Sequence, residues 1–129
     1  MDNARWKVVD PLGNEIYLTE DSFKIHIVGD HKDEDAIIRI SLEEQVKKMI
    51  SNPCFIVKHD KVEGRRVYLD WGIIIRGDIL QIRPLFVVVE SYGKVVTWFS
   101  KRTVNINVLE DGGIIYDRRI PNLQVRQEI

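Results

Sequence analysis

His26 and His31 lie five residues apart in Phe23-Lys24-Ile25-His26-Ile27-Val28-Gly29-Asp30-His31, and Asp33, Glu34 and Asp35 follow close behind. Imidazole is the side chain that ordinarily titrates nearest neutral pH, so two of them close together suit proton transfer or metal ligation. On one continuous helix, five residues would turn His31 about 140° away from His26, at roughly 100° per residue. Both can face one site only if the chain breaks between them, and Gly29-Asp30 supplies that break. In the last turn of a helix ending at Gly29, His26 would meet the carbonyl end of the dipole, which favours imidazolium. The acidic run would push the same way. A histidine held protonated near neutral pH can serve as a general acid.

Three readings of the pair compete. In the first, His26 ends a helix, His31 is a solvated loop residue, and neither does chemistry. In the second, His26, His31 and an aspartate hold a metal, with His59 as a further ligand. The spacing is not His-x-x-x-His, however, and there is no cysteine pair. In the third, the histidines exchange protons with a phosphodiester while cationic residues hold the anion. Charge distribution favours the third. Residues 20–46 carry eight Asp/Glu against three Lys/Arg, and residues 47–102 carry eleven Lys/Arg against five Asp/Glu. The plain reading of this asymmetry is two solvated faces; the sharper one is that the second half offers a positive surface to an anion. The net charge of −1 excludes a general nucleic-acid coat, so any such contact must be local.

The elements that must position these residues follow from pattern. Trp6–Val9 and Ile16–Leu18 read as a hairpin around Asp10-Pro11-Leu12-Gly13-Asn14. Thr19 is an N-cap for a helix with Phe23, Ile25 and Ile27 on its apolar side. A second helix has Ser41-Leu42-Glu43-Glu44 as a capping box and Leu42, Val46, Met49 and Ile50 on one face; Asn52-Pro53 ends it. Strands follow at Phe55–Val57, at Val67–Ile75 with a bend at Gly72, and at Leu85–Glu90, with Pro84 marking the start of a central strand. Ser91-Tyr92-Gly93-Lys94 turns into Val95–Phe99. Residues 103–129 alternate weakly through Val104, Ile106 and Val108 and reach Ile114–Tyr116, as an edge hairpin or a packed extension. The expectation is an α+β domain: two N-terminal helices packed on an antiparallel β-sheet, preceded by a short β-hairpin.

With 129 residues, 44% apolar and 30% charged, the chain has the balance of one globular domain, 1–129. No apolar run approaches the ~18 residues of a membrane helix, and Met1–Asp10 does not read as a signal peptide. The lone Cys54 excludes an internal disulfide and fits a reducing, cytoplasmic setting; beside Pro53 it reads as a packed thiol.

Taken in order, these motifs resemble a family. Asp10-Pro11-Leu12-Gly13-Asn14-Glu15-Ile16-Tyr17-Leu18-Thr19 matches DP-x-G-x-x-I-x-L-T, and His26-Ile27-Val28-Gly29-Asp30-His31 matches H-I-x-x-x-H. A helix runs into Asn52-Pro53-Cys54-Phe55-Ile56, and Val87-Val88-Val89 precedes Val95-Val96-Thr97-Trp98-Phe99. This order resembles the phage-associated nuclease domains grouped with barnase, EndoU, colicin-type tRNases and RelE toxins. It covers about residues 7–102, leaving 103–129 as an extension. The resemblance implies a metal-independent ribonuclease of toxin or mobile-element type, without cofactor. The substrate would be RNA, whether tRNA or mRNA, and an antitoxin or immunity protein would be the partner. The 2′-hydroxyl would attack the adjacent phosphate, which requires an acid, a base and donors for the charged transition state. By motif position His26 and His31 carry over as acid and base, in an order the motif leaves open, and Thr97 as the polar residue of the last hairpin. The chain departs from the pattern at Trp98-Phe99, where such domains often have a small residue and then a tyrosine. The alternative is a catalytically silent module on the same fold that recognises nucleic acid or a protein.

Pattern adds substrate-contact candidates, each with a plainer alternative. Arg83 could grip a phosphate or form a rim ion pair. Tyr68 could stack a base or pack in the core. Lys101 and Arg102 suit phosphate contacts or solubility. Thr97, the polar residue in an apolar stretch, could donate its hydroxyl or merely satisfy a neighbour.

Overall fold

The structure is a computed structural model and describes residues 3–29, 33–104 and 113–120. Strands β1 (Ala4–Val9) and β2 (Glu15–Thr19) pair antiparallel. The turn between them is organised by Asp10. Its buried carboxylate accepts from the Leu12 amide at 2.9 Å, the Asn14 amide at 2.8 Å and the Asn14 side-chain amide at 3.2 Å.

Thr19 then caps α1 (Glu20–Ser22), its hydroxyl accepting from the Ser22 amide at 3.1 Å. The chain continues as a π-helical segment, Phe23–Gly29; the expected stop beyond the glycine lies outside the described residues. Ile27 is buried and Phe23 packs on the core, but Ile25 is exposed. Two further helices follow, α2 (Asp33–Ser41) and α3 (Glu43–Ser51), so three helical stretches stand where two were expected. The expected capping box does not form. Leu42 is the N-cap, without a side-chain bond. Because α2 runs almost directly into α3, the Leu42 amide bonds the Ile38 and Arg39 carbonyls. Ser41 donates its hydroxyl to the Ile38 carbonyl at 2.6 Å, and Glu44 pairs with Lys47 instead.

The main sheet contains β3 (Phe55–Lys58), β4 (Arg66–Arg76), β5 (Ile79–Val89), β6 (Val95–Ser100) and β7 (Ile114–Asp117). Its order is β6-β5-β4-β3-β7, with antiparallel neighbours. The central strand is therefore β4, not the one beginning near Pro84. Register with β5 runs unbroken from Arg66↔Val89 to Arg76↔Ile79. Pro84 sits inside β5, opposite Trp71. It is tolerated because β5–β6 pairing ends at Leu85↔Ser100, so the missing amide falls at the sheet's edge. Of the C-terminal stretch, Ile114–Asp117 joins β3 at the other edge, which makes it part of the sheet. Ile106 and Val108 lie outside the described residues.

Period-two alternation gives the sheet two unlike faces. One carries Ile56, Tyr68, Ile74, Leu85, Val87 and Trp98, which share a buried cluster with Val46, Met49 and Ile50 of α3 and with Ile16 and Leu18 of β2. The opposite face carries the candidate site. No helix among the described residues is long and apolar enough to cross a membrane.

Candidate functional site

On that opposite face Val67, Leu69, Phe86, Val88, Thr97 and Phe99 line a cleft of about 740 Å³. They share a face because β4, β5 and β6 are in register: Val67↔Val88↔Thr97 and Leu69↔Phe86↔Phe99. The Phe86 and Phe99 rings stack with centroids 5.3 Å apart and an interplanar angle of 14°. Lys101 holds its Nζ 5.7 and 5.5 Å from the two centroids. Lys58, Lys61, Arg65, Thr103 and Val104 also line the cleft. The result is an aromatic floor under cationic side chains. Of the Trp98-Phe99 pair that departs from the family pattern, Phe99 supplies half of that floor, whereas Trp98 faces the core.

Thr97 is in the cleft, and its hydroxyl does point at something. Arg39 of α2 reaches the free edge of β6, donating to Thr97 Oγ1 at 3.2 Å and to the Trp98 carbonyl. Trp98 returns the contact through Nε1 to the Arg39 carbonyl at 2.8 Å, and Asp35 accepts from Arg39 Nε at 3.2 Å. Sequence reasoning did not find Arg39; its i, i+4 spacing from Asp35 was the available signal.

His26 is exposed on the π-helical segment. It lines a smaller depression of about 260 Å³ with Ser22, Glu90, Tyr92, Lys94 and Val95. Arg65 and Val96 belong to both this depression and the main cleft, so the two adjoin. Arg65 is held there by an ion pair with Glu90. His31, and with it the expected meeting of two imidazoles across Gly29-Asp30, lies outside the described residues. His59, which no motif marked, also lines the main cleft. Its Nδ1 accepts from the Lys61 and Val62 amides at 3.1 and 3.0 Å, which places the neutral ring's proton on Nε2.

Two of the expected substrate contacts are elsewhere. Tyr68 alternates with Leu69, so with Leu69 in the cleft it faces the core, where it is fully buried. Its hydroxyl donates to Asp10, and burial followed by that bond pushes its pKa upward. It offers a ligand neither a ring face nor a hydroxyl. Arg83 has the parity of Leu85 and therefore lies on the helix side, opposite Gly72. Lys101 lines the cleft. Arg102 lines an adjoining depression of about 420 Å³ with Cys54, Phe55, Leu69, Trp71 and Pro84.

Cys54 is a poor nucleophile. Its thiol donates to Asp70 Oδ1 at 3.0 Å and accepts from Arg118 at 3.1 Å. Burial, then Asp70, push its pKa up to about 11. Among the described residues no group of three or more His, Cys, Asp or Glu side chains is placed to hold a metal ion. No family model, curated protein or solved structure matches the chain.

Chemically, the cleft can accept a flat ring on its aromatic floor and an anion among its lysines. Thr97 Oγ1 accepts from Arg39 and still has its own proton to donate.

Proposed function

We propose that this chain is a barnase/RelE-like ribonuclease domain of phage or mobile-element toxin type, cleaving RNA without a metal through attack of the 2′-hydroxyl on the adjacent phosphate. One observation carries the proposal: the aromatic, lysine-ringed cleft that holds Thr97 adjoins, through Arg65 and Val96, the depression lined by His26. In this scheme a base stacks on Phe86 and Phe99, and the scissile phosphate lies toward Lys58, Lys61 and Lys101. Thr97 donates its proton to a non-bridging oxygen as negative charge develops there, while Arg39 keeps the hydroxyl aimed. His26 exchanges a proton with the attacking or leaving oxygen, and His31 is its counterpart by motif position. The α+β architecture, with its helices ahead of an antiparallel sheet, agrees with the resemblance. A toxin of this kind acts on cytoplasmic RNA and requires an antitoxin or immunity protein in the producing cell.

A silent binding module on the same scaffold is the second reading. It is favoured by the prior engagement of two polar groups at the site, Arg65 with Glu90 and Thr97 with Arg39. Incubation with total RNA in chelator separates the readings. Cleavage that leaves 2′,3′-cyclic phosphate ends and is lost in both His26→Ala and His31→Ala supports the nuclease. RNA binding without cleavage, weakened by Lys101→Ala, supports the module. Cleavage abolished by chelator points to a metal-dependent enzyme, and a chain that neither binds nor cuts RNA defeats both readings.

A further inference from the structure

The distal half of the β4–β5 hairpin stands beyond the rest of the sheet. The last β3–β4 pair is Phe55↔Leu69 and the last β5–β6 pair is Leu85↔Ser100. Past them β4 and β5 form a two-stranded ribbon. On the face turned away from the helices, its cross-strand pairs are Trp71↔Pro84, Ile73↔Ile82 and Ile75↔Leu80, all apolar. Trp71 is 64% exposed, Ile73 48%, Ile75 66%, Leu80 60% and Ile82 64%. Scattered exposed aliphatics need no explanation, but five on one contiguous face do.

Among the described residues, the ribbon's edges are guarded and its face is not. Gln45 of α3 occupies the outer edge of β4, its side-chain amide bonding the Ile73 carbonyl at 2.8 Å and the Ile73 amide at 2.7 Å. On the outer edge of β5, Pro84 has no amide to offer. Both features oppose addition of a further strand. An occupant must therefore cover the face.

We infer that this face is a homodimer interface, in which two copies pack ribbon against ribbon about a two-fold axis through the Ile73–Ile82 pair. Three arguments favour a second copy. First, the face is self-complementary: an antiparallel two-fold lays the broad Trp71 ring at one end over the partner's Ile75 and Leu80 at the other, twice. An isologous interface requires that reciprocity. Second, the charges match. Asp78 at the exposed tip would approach the partner's Arg102, which lies beside Trp71 and Pro84. Third, the area reaches the lower bound. Five side chains each presenting on the order of 100 Å² give roughly 500 Å² per copy, in the upper part of the range of a monomer's largest patch, which is often functional. Two copies bury roughly 1,000 Å², the least that a biological interface needs and the size of a weak, concentration-dependent dimer. Lys58, Lys61 and the Phe86–Phe99 floor stay outside the contact, so the dimer does not depend on the nuclease reading.

Sedimentation equilibrium from micromolar to sub-millimolar concentration tests the inference. The native chain should dimerise, and Ile73→Lys and Ile82→Glu should each weaken the dimer at least about tenfold. Mixing Ile82→Lys with Ile82→Glu should restore it. Unchanged circular dichroism in these variants excludes misfolding as the cause. Asp78→Cys combined with Arg102→Cys should give dimers with a short thiol cross-linker, and neither single variant should do so. A native chain that stays monomeric throughout, whether or not it binds lipid vesicles, overturns the inference. So does a dimer indifferent to the ribbon substitutions.

Discussion

Tyr68 shows how far a single residue's role depends on which side of a strand it faces. Its hydroxyl reaches across the core to Asp10, tying the β1–β2 turn to the central strand. Removing that donor leaves a buried carboxylate oxygen with only the Asn14 side-chain amide at 3.2 Å. Tyr68→Phe should therefore cost about 1–3 kcal/mol, read as a lower urea midpoint at unchanged slope, and should leave RNA binding by the folded protein intact. Cys54 makes a chemical prediction. With its pKa near 11, the thiol should react with iodoacetamide far more slowly than a free cysteine at pH 8, and the rate should climb through pH 10. Of the residues singled out by type, Thr97 and Lys101 reach the cleft, His26 reaches its neighbour, and Tyr68 and Arg83 reach neither. For Tyr68 the alternation was legible, but which face would be covered by helices was not.

At the scale of elements, the close approach of the hairpin to the sheet depends on one glycine. Gly93 has φ +103°, and a Cβ there would lie 2.3 Å from the Glu15 carbonyl oxygen. Its own carbonyl accepts from the Tyr17 amide at 2.9 Å, so β2 is docked beside the start of β6 through this residue. Gly93→Ala should destabilise the fold by at least about 2 kcal/mol, measured by chemical denaturation, because both the backbone conformation and the contact are lost. Gln45→Ala should speed hydrogen exchange at the Ile73 amide, whose side-chain acceptor it removes. Strong local signals were legible here: the Asp10 turn, the Thr19 cap and the 91–94 turn. The Ser41 capping box was equally well formed in sequence and still failed. Ser41 is itself the last residue of the preceding helix, and its hydroxyl bonds back to the Ile38 carbonyl instead.

Across the whole molecule, acid stability rests on carboxylates that join distant segments. Burial works against ionised Glu43, but Arg5 Nε at 2.6 Å and Trp6 Nε1 at 3.0 Å prevail and hold its pKa below the usual range. A local pair adds to this: Arg119, two residues along the chain, holds the Asp117 carboxyl below its usual range. A folded-state pKa below the unfolded one means that the unfolded chain takes up protons first as pH falls. The stabilisation is then complete above the ordinary carboxylate pKa of roughly 4 and is lost as pH drops through the folded value. The melting temperature should fall from about pH 5 downward, and Glu43→Gln should flatten part of that fall. The α+β class, most strand positions and the cationic character of the second half were set by the sequence itself, because periodicity and turn chemistry act over a few residues. The cleft, the Arg39–Thr97 contact and the bare β4–β5 ribbon arise only in the folded molecule. Each joins residues far apart in the chain or depends on which sheet face the helices cover, and no local pattern encodes that choice.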